Sequence, residues 1–299
     1  MTGKIISKAV LVGPCIGEMY WEFGRFAPYV MWKREREYKS SNIKFIVLTR
    51  PGMFDLYAGC ASIFIPLSIP GDGTIYKPNC FRLDDFPDDA YNFIIKTFYN
   101  KYAKDHKILE HIKPDTSRKK FLNKNQFPKN KMLFDYYTRQ ENILTIEKNT
   151  EKKPFVILGP RYRKGMKRNW PYWQQFYDLV FSNQDLFQRY NFVICGKDPD
   201  YVPDKYDRFI DVNKLNTNSG VSLIGLTIES IKKAKLTIGS QSAIPNISLL
   251  FKVPVLEWGH QKYLHTIEYN PFKTKVTFIE DMDYNIKPET IYNEMLKLL

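Results

Sequence analysis

Short apolar runs alternate with longer amphipathic ones along most of this chain, and that alternation narrows its fold more than any other feature. An apolar run of about four to eight residues fits a strand covered on both faces. A 3.6-residue period between two such runs marks the crossover helix that parallel pairing requires. The strand-like runs are residues 8–12, 43–48, 62–65, 155–158, 192–195, 236–238, 253–256 and 276–278. The helical stretches between them are 21–38, 89–102, 173–182, 220–233, 243–251 and 288–299. Only the polar stretch 113–153 develops no long apolar face. The pattern therefore predicts an α/β chain of two Rossmann-like halves, 1–150 and 151–299, joined by a linker at 148–154. The C-terminal helix is expected to pack back on the first half.

In open parallel sheets ligands lie beyond the carboxyl ends of the strands, so the strand-end loops are the places to look for chemistry. The apolar run ending at Leu158 leads into Arg161, Arg163, Lys164, Lys167 and Arg168, five cations in eight positions, before a helix that opens near Pro171. Guanidinium groups match phosphate oxygens two at a time, and a helix N-terminus adds free N–H groups and a positive dipole end. The plainer reading is a solvated basic loop. Two further loops follow in the same half. Cys195 leads into Gly196-Lys197-Asp198, where a ribose or phosphate would meet Lys197. Ile238 leads into Gly239-Ser240-Gln241-Ser242-Ala243-Ile244-Pro245-Asn246, hydroxyls and amides at a helix start. The serines suit helix capping, and they equally suit a phosphate bound by the helix N–H groups.

The first strand ends in Gly13-Pro14-Cys15-Ile16-Gly17-Glu18, followed by Trp21, Glu22 and Arg25. Glycines at 13 and 17 permit a tight turn, but the spacing is not the G-x-G-x-x-G of a dinucleotide site. Glu18 stands at the tip of the turn, where a carboxylate facing a cleft between the halves would act as general base. Glu22, one helical turn on, is its partner or substitute. Both also fit ordinary first-turn acids favoured by the helix dipole. Two Asp-x-Asp triplets, Asp198-Pro199-Asp200 and Asp281-Met282-Asp283, carry a weaker suggestion of a metal motif. His260 and His265, beside Glu257 and Trp258, stand where a donor base or sugar would be lined.

Charge and cysteine usage bound the partners. Forty-five basic against 32 acidic residues leave the chain at +13 with a pI near 9.3, so its partner is expected to be polyanionic. Cys15, Cys60, Cys80 and Cys195 show no C-x-x-C spacing, which points away from zinc and toward a reducing cytoplasm. The apolar run before Val12 is too short for a signal peptide and no segment is long enough to span a membrane, so a soluble chain is expected.

Taken together, the Ile-Gly-acid turn, the Arg-x-Arg-Lys…Asn-Trp-Pro segment, the Val-Ile-Cys-Gly-Lys strand end and Gly-Ser-Gln-Ser-Ala…Asn resemble GT-B glycosyltransferases. The layout is similar to that of heptosyltransferases and of small phage-encoded DNA glycosyltransferases. The resemblance implies a GT-B fold and metal-independent sugar transfer from a nucleoside diphosphate sugar, expected to be a UDP-sugar, with no resident cofactor. It implies Glu18 as base and a donor site built from Gly17, Arg161, Arg163, Lys167, Gly196, Lys197, Ser240, Gln241, Ser242 and His260. Trp21, Arg25 and Arg50 would line the acceptor side. A glutamate stands here in place of the usual aspartate, and Gly-Ser-Gln replaces an acid at the start of the last donor loop. The excess cations, including Arg25, Lys33, Arg34, Arg36 and the tract 118–131, point to double-stranded DNA carrying 5-hydroxymethylcytosine as the acceptor of a monomeric enzyme, in a host cytoplasm if the chain is viral. Lipopolysaccharide or capsular glycan is the alternative acceptor. A nucleotide- or nucleic-acid-binding protein without catalysis is the reading from another class.

Overall fold

The computed structural model describes residues 7–15, 22–67, 88–114, 153–162, 168–196, 198, 200–202, 204–219, 223–261, 270 and 272–299. They form two compact units, one holding four strands and the other six. The expected boundary near residue 150 lies outside the described residues, as does most of the polar stretch before it.

The first unit is a parallel sheet of β1 (Ser7–Cys15), β2 (Ile43–Thr49), β3 (Ile63–Pro66) and β4 (His106–Ile112) in the order β3-β2-β1-β4. Alternation places Ala9, Leu11, Ile46 and Leu48 on one face, where they bury against Tyr91 and Phe98 of α2 (Asp88–Ala103). A π-helical turn over Glu22–Phe26 runs into α1 (Ala27–Arg36), whose early Pro28 suits a helix start and whose last turn carries Lys33, Arg34 and Arg36.

Edge strand β4 escaped the sequence pattern because its register alternates His, Lys and Glu with Ile and Leu. What holds it is polar. Lys33 donates to both oxygens of Glu110 at 2.7 and 2.6 Å and to Glu37 at 2.9 Å, and the Tyr38 hydroxyl donates to Glu110 at 2.7 Å. Arg34 is tied in the same way, with its guanidinium donating to the carbonyls of Ile43, Tyr38 and Ser40. Two of the four helix cations expected to contact DNA phosphates are therefore engaged within the fold.

The second unit is a six-stranded parallel sheet of β5 (Phe155–Gly159), β6 (Asn191–Ile194), β7 (Ile210–Asp211), β8 (Ala234–Ser240), β9 (Val255–Gly259) and β10 (Val276–Glu280). Its order, β10-β9-β8-β5-β6-β7, is that of a dinucleotide-type Rossmann sheet, reversing between β5 and β8. The helices are α3 (Trp173–Ser182), α4 (Gln184–Arg189), α5 (Val212–Ser219), α6 (Leu223–Lys232), α7 (Ala243–Leu250) and α8 (Pro288–Leu298). Two-residue β7 and the short α4 and α5 are too brief to leave a readable period.

An aromatic core locks α3 to the sheet. Trp170 meets Trp258 at 4.7 Å and Trp173 at 5.1 Å between ring centroids, both edge-on, with Phe176 and Tyr177 packed beside them. Trp258 is fully buried in this core. Helix α8 contributes Ile291 and Met295 to the same cluster and packs on α3, and Leu299 just past its end accepts a hydrogen bond from the Tyr190 hydroxyl. Its apolar face is thus used within the second unit. Among the described residues no helix is long and apolar enough to cross a membrane.

The Lys33 cluster predicts an alkaline limit on stability. Burial alone would lower the Lys33 ammonium, but Glu110 and Glu37 hold it above the ordinary lysine value. Tyr38 is pushed up to about 12 by burial and by Glu110. Both pKa values are raised on folding, so this stability is complete below pH about 10 and is lost as pH rises beyond it. Urea midpoints measured from pH 7 to 11.5 should fall above pH 10, and Lys33→Met should be less stable at pH 7 with a flatter decline. An equally steep decline in Lys33→Met would refute the assignment.

Candidate active site

The reversal of strand order in the second unit puts the ends of β5 and β8 side by side, with Gly159 opposite Gly239. Ligands in such sheets lie at this reversal, outside the carboxyl ends. Arg161 leaves β5 there and donates through Nη1 to the Gln241 carbonyl at 3.0 Å, bridging the two strand ends. Beyond Gln241, Ser242 sits in extended conformation as the cap of α7 yet makes no capping hydrogen bond. The buried hydroxyls of Ser240 and Ser242 have no hydrogen-bond partner in the structure, nor does the side-chain amide oxygen Oδ1 of Asn246, an acceptor. Pro245 supplies no N–H, so the α7 opening rests on Ala243 and Ile244 for its first donors.

Unsatisfied buried hydroxyls cost free energy unless something fills their hydrogen bonds. The Ser242 hydroxyl stands at the positive end of a helix, next to the Gln241 carbonyl that Arg161 holds, whereas Ser240, in register with Ile238, lies on the face of the sheet away from α7. The arrangement suits an oxyanion, and a diphosphate offers enough oxygens to use all of these donors.

Not every expected donor residue faces a ligand. The Gln241 amide is used internally: Nε2 donates to the His260 carbonyl at 2.9 Å, while Oε1 accepts from the His260 N–H at 3.1 Å and from the Tyr284 hydroxyl at 2.5 Å. His260 is brought to the site through its backbone. Gly196 has a packing reason of its own, since a Cβ there would stand 2.0 Å from the Pro160 carbonyl oxygen. Arg163, Lys167, Lys197 and His265 lie outside the described residues. Arg168 is within them, and with Arg161 it opposes the rise that burial imposes on the Tyr284 hydroxyl. The Asp-x-Asp triplets serve as turn acceptors. Asp198 accepts from the Asp200 N–H at 3.0 Å, and Asp281 accepts from the N–H groups of Asp283 and Ile286. Burial raises the Asp198 carboxyl above its ordinary value.

In the first unit, Gly17, Glu18 and Trp21 lie outside the described residues, as does the Arg25 side chain. Glu22 and Arg50 correct the sequence expectation. Both side chains are buried and form an ion pair at 2.5 Å, with Glu22 also accepting from Thr49 Oγ1 at 2.5 Å and from the Tyr57 hydroxyl at 3.0 Å. A carboxylate that already accepts three hydrogen bonds in the interior is not placed to take a proton from an acceptor. Nor is a buried Arg50 placed to line one. Neither Thr49 nor Tyr57 was singled out in the sequence, where nothing at 22, 49, 50 and 57 signals that they meet. Asn246 and Tyr284 were also missed as site residues, although Asn246 closes the Gly239 motif.

Comparison with solved structures follows the same lines. The chain is similar to a glycosyl transferase family 9 protein from Veillonella parvula DSM 2008, at 9% identity over 99% of this chain and 98% of that one, with a TM-score of 0.54. It is similar to the ADP-heptose LPS heptosyltransferase II of E. coli, at 13% identity over 97% and 98%, with a TM-score of 0.51. A candidate UDP-N-acetylglucosamine 2-epimerase from Listeria monocytogenes is 11% identical over 98% of this chain and 88% of its own, with a TM-score of 0.50. The fold is GT-B. No protein-family model matches the chain, and no curated protein matches it in sequence. At these identities the likeness concerns the fold, and the chemistry has to be argued from the site.

Glu22→Gln removes one partner of a buried pair and should cost about 3–5 kcal/mol in urea unfolding. Replacing both partners at once, as Glu22→Leu with Arg50→Met, should cost less than the single change. A Glu22→Gln variant as stable as the parent would show that the pair is not the anchor of this turn.

Proposed function

We propose that this chain is a glycosyltransferase that takes a nucleoside diphosphate sugar at the joined ends of β5 and β8 and passes the sugar to an acceptor hydroxyl. One observation carries the reading: Arg161, the buried Ser242 hydroxyl without a partner and the start of α7 meet at the strand-order reversal of a Rossmann sheet. The GT-B fold and the likeness to a structure that binds ADP-heptose by name support it.

Transfer has two requirements. The acceptor hydroxyl must lose its proton as its oxygen bonds to the anomeric carbon, and the diphosphate must leave with its charge stabilised. Arg161, Ser242 and the α7 dipole meet the second. For the first we propose Glu18, the remaining carboxylate of the first turn once Glu22 is committed to Arg50. With cations and a helix end holding the diphosphate, we propose that no divalent ion takes part.

For the acceptor we favour the hydroxyl of an anionic bacterial surface glycan over hydroxymethylcytosine in DNA. Lys33 and Arg34, two of the four helix cations that duplex binding would use, are engaged within the first unit. The similar E. coli structure is, by its name, a lipopolysaccharide heptosyltransferase.

Arg161→Ala should weaken nucleoside diphosphate binding by about 1.5–3 kcal/mol, and Ser242→Ala by less, in calorimetry with ADP, UDP, GDP and CDP. Unchanged affinity in Arg161→Ala would move the donor site elsewhere.

Transfer itself is read by mass. Nucleotide sugars offered with truncated lipopolysaccharide and with hydroxymethylcytosine duplexes, in chelator, should add one sugar to the glycan and none to the DNA. Glu18→Gln should lower that rate roughly 10²–10⁴-fold. Sugar on the DNA alone would reverse the acceptor, and donor hydrolysis or epimerisation without transfer would place the chain with the epimerase.

A further inference from the structure

Tyr284 is held in the left-handed backbone region, at φ 55°, where a bulky side chain is seldom found. Such a conformation persists only where its surroundings fix it, and here they do. The ring is almost fully buried in the second unit's aromatic cluster, and its hydroxyl reaches the Gln241 amide oxygen at 2.5 Å. That oxygen also accepts the His260 N–H, and the amide nitrogen donates to the His260 carbonyl. The hydrogen bonds assign the orientation of the amide, because only one choice of oxygen and nitrogen satisfies all three. The glycine preceding His260 belongs to the same device. Gly259 has φ 151°, and a Cβ there would lie 2.5 Å from the Gln241 amide oxygen, so any side chain at 259 would displace the amide from its partners.

Gln241 is thus fixed from three sides through its side chain, while its backbone carbonyl accepts Arg161 and its next residue caps α7. We propose that Tyr284 and Gln241 are positioning residues that set Arg161 and the Ser242 turn in the geometry that grips a diphosphate. This rests on the donor reading given above. It assigns to Gln241 no contact with the nucleotide, and to Tyr284, which lies 43 residues from it in sequence, a part in donor affinity.

A side chain acting through Arg161 differs measurably from one that merely stabilises the fold. Tyr284→Phe keeps the ring and removes only the hydroxyl. Isothermal titration with ADP, UDP, GDP, CDP and inorganic pyrophosphate should show the best ligand bound about tenfold more weakly by Tyr284→Phe, with the thermal midpoint little changed. In an Arg161→Ala background the same change should weaken binding by less than about twofold, because the group it positions is gone. Gly259→Ala should reproduce the effect of Tyr284→Phe. Parent-like affinity in Tyr284→Phe, or a full tenfold further loss in the Arg161→Ala background, would overturn the positioning role and leave the donor site intact. If the parent protein binds none of the five probes, the donor reading fails and this proposal falls with it.

Discussion

Parallel pairing is the constraint on which the rest of this structure depends. It sends the carboxyl end of every strand to one edge of its sheet and forces each connection to cross a face. The chemistry of residues as distant as Arg161, Gly196, Ser240 and His260 therefore gathers on one rim of the second unit, however the helices between them vary. The reversal between β5 and β8 then selects one point on that rim, because only there do neighbouring connections leave in opposite directions. The absence of local contacts in such a sheet places the burden of order on its covering layers. In the second unit that layer is aromatic: Trp170, Trp173 and Trp258 wedge α3 against the sheet just beneath the loop that carries Arg161. Stability and site are built from one stretch of chain.

What could be read from the sequence follows from the same physics. Strands buried on both faces, such as β1 and β5, are largely continuous apolar runs and were legible. So was the helix start after Gly239, where small polar residues follow a strand end. Edge strand β4 was not legible, since only one of its neighbours is a strand and its half-exposed register tolerates His106, Lys107 and Glu110. Glu22 was misread for a related reason. Sequence spacing puts it one turn from Glu18, but whether its carboxylate turns toward solvent or toward Arg50 is decided by β2 and the turn after it, 27 and more residues away. Gly196 was legible as a special position, and the close Pro160 carbonyl gives it a packing reason that the sequence could not show.

Net charge proved a poor guide to surface for a comparable reason. The +13 excess counts every cation once, yet Lys33 and Arg50 are interior groups and Arg34 is an anchor for backbone carbonyls. Each holds a connection to a strand. Lys33 pins α1 to edge strand β4, Arg34 closes the turn into β2, and Arg50 fastens the turn after β2 to the start of the first helix. A field that steers polyanions has to come from the cations left over, and composition alone cannot say which those are.

Fold likewise sets a location without setting a reaction. The same two-domain frame is shared by a structure named as a heptosyltransferase and by one named as a 2-epimerase, so the frame alone does not select a reaction. In this chain the site proposed for the donor is built from rigid elements, with Arg161 tied to the Gln241 carbonyl and Gln241 tied to Tyr284. Rigidity there is what a charge-stabilising site needs, since donors already in place cost no reorganisation when the diphosphate departs. The base has a different requirement, access to a hydroxyl that arrives with each acceptor. A carboxylate locked as Glu22 is locked, in a buried pair with Arg50 and with two hydroxyls donating to it, cannot meet it.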